Sequence, residues 1–434
     1  MATTELRTGT TTIRQPRPLH WVALGLLVIS VCINYVDRGN LGVAAKSIQD
    51  ELHFTPQQLG VLLGGFFWTY SLVQIAAGKM MDRWNVNWLY AGGFLVWSAA
   101  TGVTGFASSF GIIFLLRLLL GAGESIAYPA YSKIIATTFP ESLRGTANAL
   151  IDSGSKVGPA LGILIGVKMI QALSWRPMFL VVGGASLLWL VPWCLVVRRL
   201  PKHQRESHTS EGSPSYNQLI RSRAVWGTVL GLFGGNYTWY LFLTWLPYYF
   251  ETDRHYTKDH LAIFGSLPFW TVAVASMSFG LAADALIRRG RHAGRVRKTF
   301  VSFGLLGCCL FVIPAVLIRE EWISNAFFVL GCICLGGFSS NHWAYSQTLA
   351  GVRAAGKWTG FENCLGNFSG VIAPFVSGYT LKATGSFIPA FVVAGVVLLI
   401  GALGFSFVVG NPEEVDWSKS RSSGISNQKS IGGV

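Results

Sequence analysis
The 434-residue chain is 51% hydrophobic and only 12% charged. That is about half the charged fraction of an ordinary soluble domain, which excludes a soluble globular fold. A formal net charge of +14 raises nucleic-acid binding, but the placement of the basic residues speaks against it.

Apolar runs of roughly 20 residues, the length that crosses a bilayer as a helix, recur twelve times. They lie near residues 20–41, 57–79, 88–107, 110–132, 145–170, 177–197, 224–249, 260–282, 299–318, 325–347, 358–382 and 387–409. The first run lacks a small-residue cleavage site and eleven more follow it, so it reads as a retained anchor. With twelve crossings, 24 of the 34 Lys and Arg residues fall on the tails and the even-to-odd loops, and seven on the opposite loops. The positive-inside rule then puts both termini in the cytoplasm. The basic surplus is a topology signal, and no nucleic-acid partner is expected. The seven cysteines all lie in predicted spans without metal-ligand spacing, so no metal site is expected and they read as core residues.

Three basic residues remain for the membrane interior, Arg38, Arg117 and Lys156. In span 1, "VCINYVDRGNLG" sets Asp37 beside Arg38; each charge at a helix centre costs about 2.5–3.5 kcal/mol, so function is the default reading. In span 4, Arg117, Gly121, Glu124 and Tyr128 form one helical stripe. Arg117 and Glu124 then stand about two turns, roughly 10 Å, apart, and each needs another partner. Asp37 is the expected partner of Arg117. Successive residues point about 100° apart on a helix, which leaves Arg38 to face a central cavity with Tyr35 on nearly the same side. A guanidinium beside a hydroxyl suits an anionic, hydroxylated ligand. In span 5, Asp152 and Lys156 at i,i+4 read either as a self-neutralising couple or as a second anion contact. Glu362 reads either as a third titrating group or as a residue snorkelling from the cytoplasmic end.

Between Arg198 and Arg223 the chain is too polar to span. The expected organisation is a cytoplasmic tail at 1–18, six-helix bundles at 19–198 and 223–409, a linker at 199–222 and a cytoplasmic tail at 410–434. The second half repeats the first: "FWTYSLVQIAAGKMMD" at 67–82 matches "FWTVAVASMSFGLAAD" at 269–284 at Phe67, Trp68, Thr69, Gly78 and Asp82. "GSKVGPALG" from Gly154 is echoed by "GNFSGVIAP" from Gly366, both with small residues four apart that allow close helix approach. The fold class is therefore an all-α membrane protein, twelve transmembrane helices in two pseudo-symmetric halves. Such duplicated halves place a transport site at their interface.

"GKMMDRWNVNW" after span 2, with a degenerate copy "GLAADALIRRG" after span 8, resembles the loop signature of the major facilitator superfamily, although Asn85, Val86 and Asn87 depart from its usual pattern. There Asp82 and Arg83 could latch to Arg144, and Asp284 to Arg288, as cytoplasmic gates. The segments "NYVDRGNL", "FFWTYSLVQIAAG", "RLLLGAGES", "SGSKVGPALG" and "GFENCLGNFSG" together resemble the anion:cation symporter branch, which includes sugar-acid permeases and the organic-anion and vesicular glutamate carriers. That resemblance implies Asp37 and Glu124 as protonation sites. It implies a substrate-binding set of Arg38, Tyr35, Tyr70, Arg117, Ser155, Ser340, Trp343 and Asn363. Ser155 and His342 stand where sugar-acid permeases often carry a long amide and a small polar residue. The resulting expectation is a monomeric, multi-pass protein of the bacterial inner membrane. It would import a small carboxylate, a hexuronate, aldonate or aldarate, with protons, using the proton gradient and no cofactor. Organic-phosphate exchange needs the arginines but not the buried acids, and a sensor without net transport is a second alternative. The scattered histidines form no catalytic constellation with serine or carboxylate, so no enzyme is expected.

Overall fold
The structure, a computed structural model, describes residues 17–139, 141–199 and 214–417. Most of both predicted tails and of the linker lie outside the described residues. Among the described residues every regular element is helical.

Twelve membrane crossings follow one another. Span 1 is Pro18–Leu52, span 2 Pro56–Arg83 and span 3 Val86–Thr104; span 4 is Phe110–Glu124 continued by Ala127–Thr138. Span 5 is Glu141–Ala172, and span 6 is Trp175–Leu188 with Leu190–Val197. After a short helix, Tyr216–Arg221, spans 7, 8 and 9 are Arg223–Thr252, Lys258–Arg288 and Ala293–Leu317. Spans 10 and 11 share a continuous helical path, Glu321–Asn367, which reverses at Gly351, where φ is 65° and ψ is 173°; span 11 then runs on as Ser369–Thr384. Only glycine takes that left-handed φ without strain. Span 12 is Ile388–Leu403, closed by a π turn, Gly404–Val408.

The helix starts carry their own signals. Thr55 caps span 2 by accepting from the Gln58 amide ahead of Pro56, and Ser109 caps span 4 by accepting from that of Ile112. Among the described residues eight helices are long and apolar enough to cross a membrane, and spans 3, 7 and 11 fall short by composition. Spans 7 and 11 carry Asn, Tyr and Thr in place of lipid-facing apolar residues, among them Asn236, Tyr240, Asn363 and Asn367. Their lengths still suffice: at 1.5 Å per residue, the 19 residues of span 3 reach about 28 Å.

Small residues set the close packing. A Cβ at Gly158 would meet Cys32 and Tyr35 of span 1, while one at Gly366 would meet Leu232 of span 7. The two echoed motifs thus do the same thing in each half, seating span 5 on span 1 and span 11 on span 7. Between halves, span 1 meets 7, span 2 meets 11 and span 5 meets 8. The meeting points lie toward the end opposite the termini. There Gly60 lies against Pro374 and Gly378, Tyr248 donates to Gln49 (2.5 Å), Lys382 donates to Gln57 (2.8 Å) and Lys168 pairs with Asp259. Toward the termini, among the described residues, no hydrogen bond or ion pair joins the halves beyond a Gln74–Asn363 hydrogen bond of 3.0 Å. Asn148 and Asp152 of span 5 are exposed there, Asp152 at 53% in a membrane-crossing helix. The described contacts between the halves thus gather at the end where span 1 passes into span 2.

Candidate functional site
Span 4 breaks at residues 125–126, and Glu124 is the last residue before the break. Pro129 accounts for the interruption, because it has no N–H to offer the Ser125 carbonyl one turn back. Gly121 lets the approach be tight: a Cβ there would lie 2.1 Å from the Phe66 carbonyl oxygen. The carboxylate is thereby held in mid-membrane against span 1.

Its partner is Arg38. The Arg38 Nε donates to Glu124 Oε2 at 2.6 Å, with side-chain exposures of 2% and 0%. The guanidinium lies over three rings, Tyr35 and Phe66 at 4.7 Å and Tyr70 at 4.5 Å to the centroids. The expected arrangement has Asp37 paired with Arg117 and Arg38 unpaired, and the structure differs. The backbone turns Arg38 toward the broken end of span 4, where Glu124 is within reach. Asp37 is buried with Glu124, Thr101 and Arg117 for polar neighbours, and among the described residues neither of its oxygens closes a hydrogen bond. Arg117 sits 5.5 Å over the Phe66 ring with its Nε unpaired.

Among the described residues, Arg38 Nη2, Glu124 Oε1, both Asp37 oxygens, Arg117 Nε and Asn34 Nδ2 close no hydrogen bond, although Asn34 neighbours Glu124 and Thr101 neighbours Asp37. Buried polar atoms are nearly always satisfied. The free guanidinium edges of Arg38 and Arg117 are therefore suited to a polar, anionic group. Nη2 offers donors on the guanidinium edge, and Tyr35, whose hydroxyl lies 3.3 Å from that of Tyr128, adds a polar wall.

The second half contributes a polar chain that sequence reasoning misses in part. Tyr240, close to Arg38, donates to Asn367 Oδ1 at 2.5 Å; the Asn367 amide donates to Asn363 Oδ1 at 3.0 Å, and Asn363 donates to Gln74 across the halves. Asn363 is among the expected residues, but Tyr240, Asn367 and Gln74 are not. Signals for all three exist. Asn367 is one helical turn beyond Asn363, and Gln74 one turn beyond Tyr70. The constant offset of 202 that relates Phe67 to Phe269 also carries Asn34, Tyr35 and Arg38 onto Asn236, Tyr237 and Tyr240.

Other expected residues are placed less centrally. Ser155 is buried and donates to the Asp152 carbonyl of its own helix at 2.7 Å. Ser340 is half-buried, accepts from Asn341 at 2.9 Å and faces Gly280 of span 8. Trp343 is half-buried, edge-on to His342. Lys156 lies 3.7 Å from Asp152, as the i,i+4 spacing suggests, and its ammonium also reaches Trp239 of span 7, 5.2 Å from the ring. Glu362 is wholly buried on His342, which removes the snorkelling reading. At the gates, the Asp82 side chain lies outside the described residues, Arg83 is exposed, and Arg144 donates to the Phe139 carbonyl at 3.1 Å. Asp284 stands 3.9 Å from Arg297 of span 9 where Arg288 is expected. Arg288 is on Asp284's own helix, one turn on, whereas Arg297 projects from the neighbouring one. A surface cleft of about 390 Å³, lined by Leu286, Arg291, His292 and Arg295, touches none of these residues.

Twelve crossings in two repeated halves, joined at one end and holding buried charges, define a secondary transporter. The Major Facilitator Superfamily pattern matches residues 27–374, and the chain belongs to that superfamily; it is a transporter and not an enzyme. It is 28% identical over 422 residues to the uncharacterized transporter YybO of Bacillus subtilis (strain 168), covering 93% of this chain and 97% of that one. It is 30% identical over 428 residues to the D-galactonate transporter of Escherichia coli O6:H1 (strain CFT073), covering 92% and 98%. A solved bacterial homologue of the human lysosomal transporter Spinster, in an inward-facing and occupied conformation, superposes with a TM-score of 0.76 at 17% identity, covering 90% and 97%. At that identity the likeness speaks for the fold.

Proposed function
We propose that the protein is a proton-coupled importer of a small organic anion, a sugar acid of the aldonate, hexuronate or aldarate class. The observation that carries this reading is the Arg38–Glu124 pair: a buried guanidinium bound through Nε, with Nη2 unmet and aromatic rings around it. Glu124 occupies the place that a substrate carboxylate would take. Protonating Glu124 removes its charge and frees Arg38 for a bidentate carboxylate contact. Asp37 and Arg117, buried beside it without a direct ion pair between them, take the second proton or share the anion. The Tyr35 and Tyr70 rings confine the carboxylate end. Gln74, Tyr240, Asn363 and Asn367, with Ser155, Ser340 and Trp343 farther out, meet the hydroxyls. The 30% identity with a D-galactonate transporter supports that class.

In this scheme the halves at 19–198 and 223–409 rock about the cavity. The contacts at Gly60, Gln49 and Lys168 close the periplasmic side in the state seen here. Asp82, Arg83, Arg144 and Asp284 latch the cytoplasmic side in the opposite state. Both termini are then cytoplasmic, the membrane is the bacterial inner membrane, and one chain suffices.

The test is calorimetric titration of the purified chain with D-galactonate, D-glucarate, D-glucuronate and glycerol 3-phosphate. Binding of a sugar acid, lost in Arg38→Ala, is the expected result. Wild-type affinity in Arg38→Ala would remove Arg38 from the site, and preference for the phosphate ester would favour exchange chemistry.

A further inference from the structure
The transport site described above uses the charges of the first half, but the second half holds a buried ionisable pair of its own. His342 Nε2 and Glu362 Oε1 are 2.7 Å apart, with side-chain exposures of 1% and 0%, and Ser346 donates to the same carboxylate oxygen at 3.1 Å. The other atoms of the pair, His342 Nδ1 and Glu362 Oε2, are buried without partners, as is the Tyr345 hydroxyl.

The surroundings are apolar. Ring centroids of Phe338, Trp343 and Phe405 lie 5.2, 5.5 and 5.7 Å from the imidazole. Span 12 presents Phe405. From span 9 the cation at hand, Arg297, is turned to the Ala344 carbonyl and Thr348 and toward Asp284. Span 7 packs Leu232 and Asn236 against Gly366, and its Tyr237 hydroxyl is buried unpaired. Spans 10 and 11 themselves supply Ser346 and Tyr345. Among the described residues, no Lys, Arg, Asp or second Glu makes a hydrogen bond or ion pair with either group.

Charge counting then singles out one state. With one proton the pair is neutral overall, as imidazolium–carboxylate or imidazole–carboxylic acid. With none it leaves a buried negative charge and with two a buried positive one, so a proton lost or gained changes the net charge of the pocket.

We propose that His342 and Glu362 form a proton-binding site of the second half, which holds one proton while substrate is bound. His342 precedes Trp343 and Glu362 precedes Asn363, both assigned above to the substrate pocket, and the pair ties span 10 to span 11. Loss of its proton places a negative charge near the pocket of an anion. At a separation of about 10 Å and an effective dielectric of about 20, that repulsion weakens anion binding roughly tenfold. The proton site stands on the pair's geometry alone, and its link to substrate rests on the anion-transport reading.

The test has two arms, run on the full chain in lipid nanodiscs. Infrared difference spectra between pH 5 and pH 9, with no substrate, are expected to contain imidazole or carboxyl bands that vanish in both Glu362→Gln and His342→Gln. Spectra unchanged by either variant would overturn the site, and the two substitutions guard against one failing to fold. D-galactonate affinity measured across the same pH range is expected to fall about tenfold further in the wild type than in Glu362→Gln. Equal pH dependence would reduce the pair to a structural tie. If the wild type binds no D-galactonate at any pH, the substrate reading fails while the infrared arm still decides the proton site.

Discussion

Glu124→Gln keeps the shape of the side chain and removes its charge from Arg38. The two charge centres are about 4 Å apart, and at an effective dielectric of about 20 their attraction is about 4 kcal/mol. The amide still accepts a neutral hydrogen bond worth about 1 kcal/mol, so the expected loss is about 3 kcal/mol. That agrees with the roughly 3–5 kcal/mol measured when one member of a buried pair is removed. Arg38→Met leaves the carboxylate alone and is expected to cost a similar amount. The double variant removes both charges and leaves neither stranded, so it should be no less stable than either single variant. A double-mutant cycle by denaturant unfolding in detergent then yields a coupling energy of about 3 kcal/mol. Additive single effects, with coupling below about 0.5 kcal/mol, would refute the claim that these two groups neutralise each other in this state.

Gly60→Leu puts a side chain where a Cβ already lies 2.6 Å from the Pro374 carbonyl oxygen, so spans 2 and 11 must separate at that end. Spin labels at positions 57 and 382 are expected to move several ångströms apart, and an unchanged distance distribution would contradict the assigned seal. Gln74→Ala removes the cross-half bond to Asn363 and is expected to cost about 1–2 kcal/mol of unfolding free energy; a loss under about 0.3 kcal/mol, roughly the precision of such a measurement, would mean that the bond carries nothing. Lys156→Gln breaks a 3.7 Å contact to an exposed carboxylate, so unfolding should show a change under about 1 kcal/mol. A larger loss would assign Lys156 a structural role.

The fold was legible because a bilayer enforces it: twelve apolar runs, a one-sided basic surplus and an internal repeat leave few alternatives. Even there, spans 7 and 11 are recognisable by length and context more than by hydropathy, because they trade apolar residues for polar ones such as Asn236, Tyr240, Asn363 and Asn367. The buried charges were legible as a set, since each is costly enough in a membrane to announce itself. Their pairing was not. Helical angles separate Asp37 from Arg38, but which of them meets span 4 depends on the break at Pro129 and on how far Gly121 lets spans 2 and 4 approach. The contribution of Tyr240 was written in the repeat offset and became visible only when span 7 was set beside span 1. His342 and Glu362, 20 residues apart on either side of the Gly351 reversal, are joined by tertiary structure that no local pattern encodes.

The measurement that bears most directly on the central claim is D-galactonate uptake into proteoliposomes with an alkaline interior, for the wild type and Glu124→Gln, beside counterflow at equal pH. The account predicts that the wild type accumulates substrate above its external concentration, while Glu124→Gln supports counterflow but no accumulation. Uphill accumulation by Glu124→Gln at the wild-type level would contradict it.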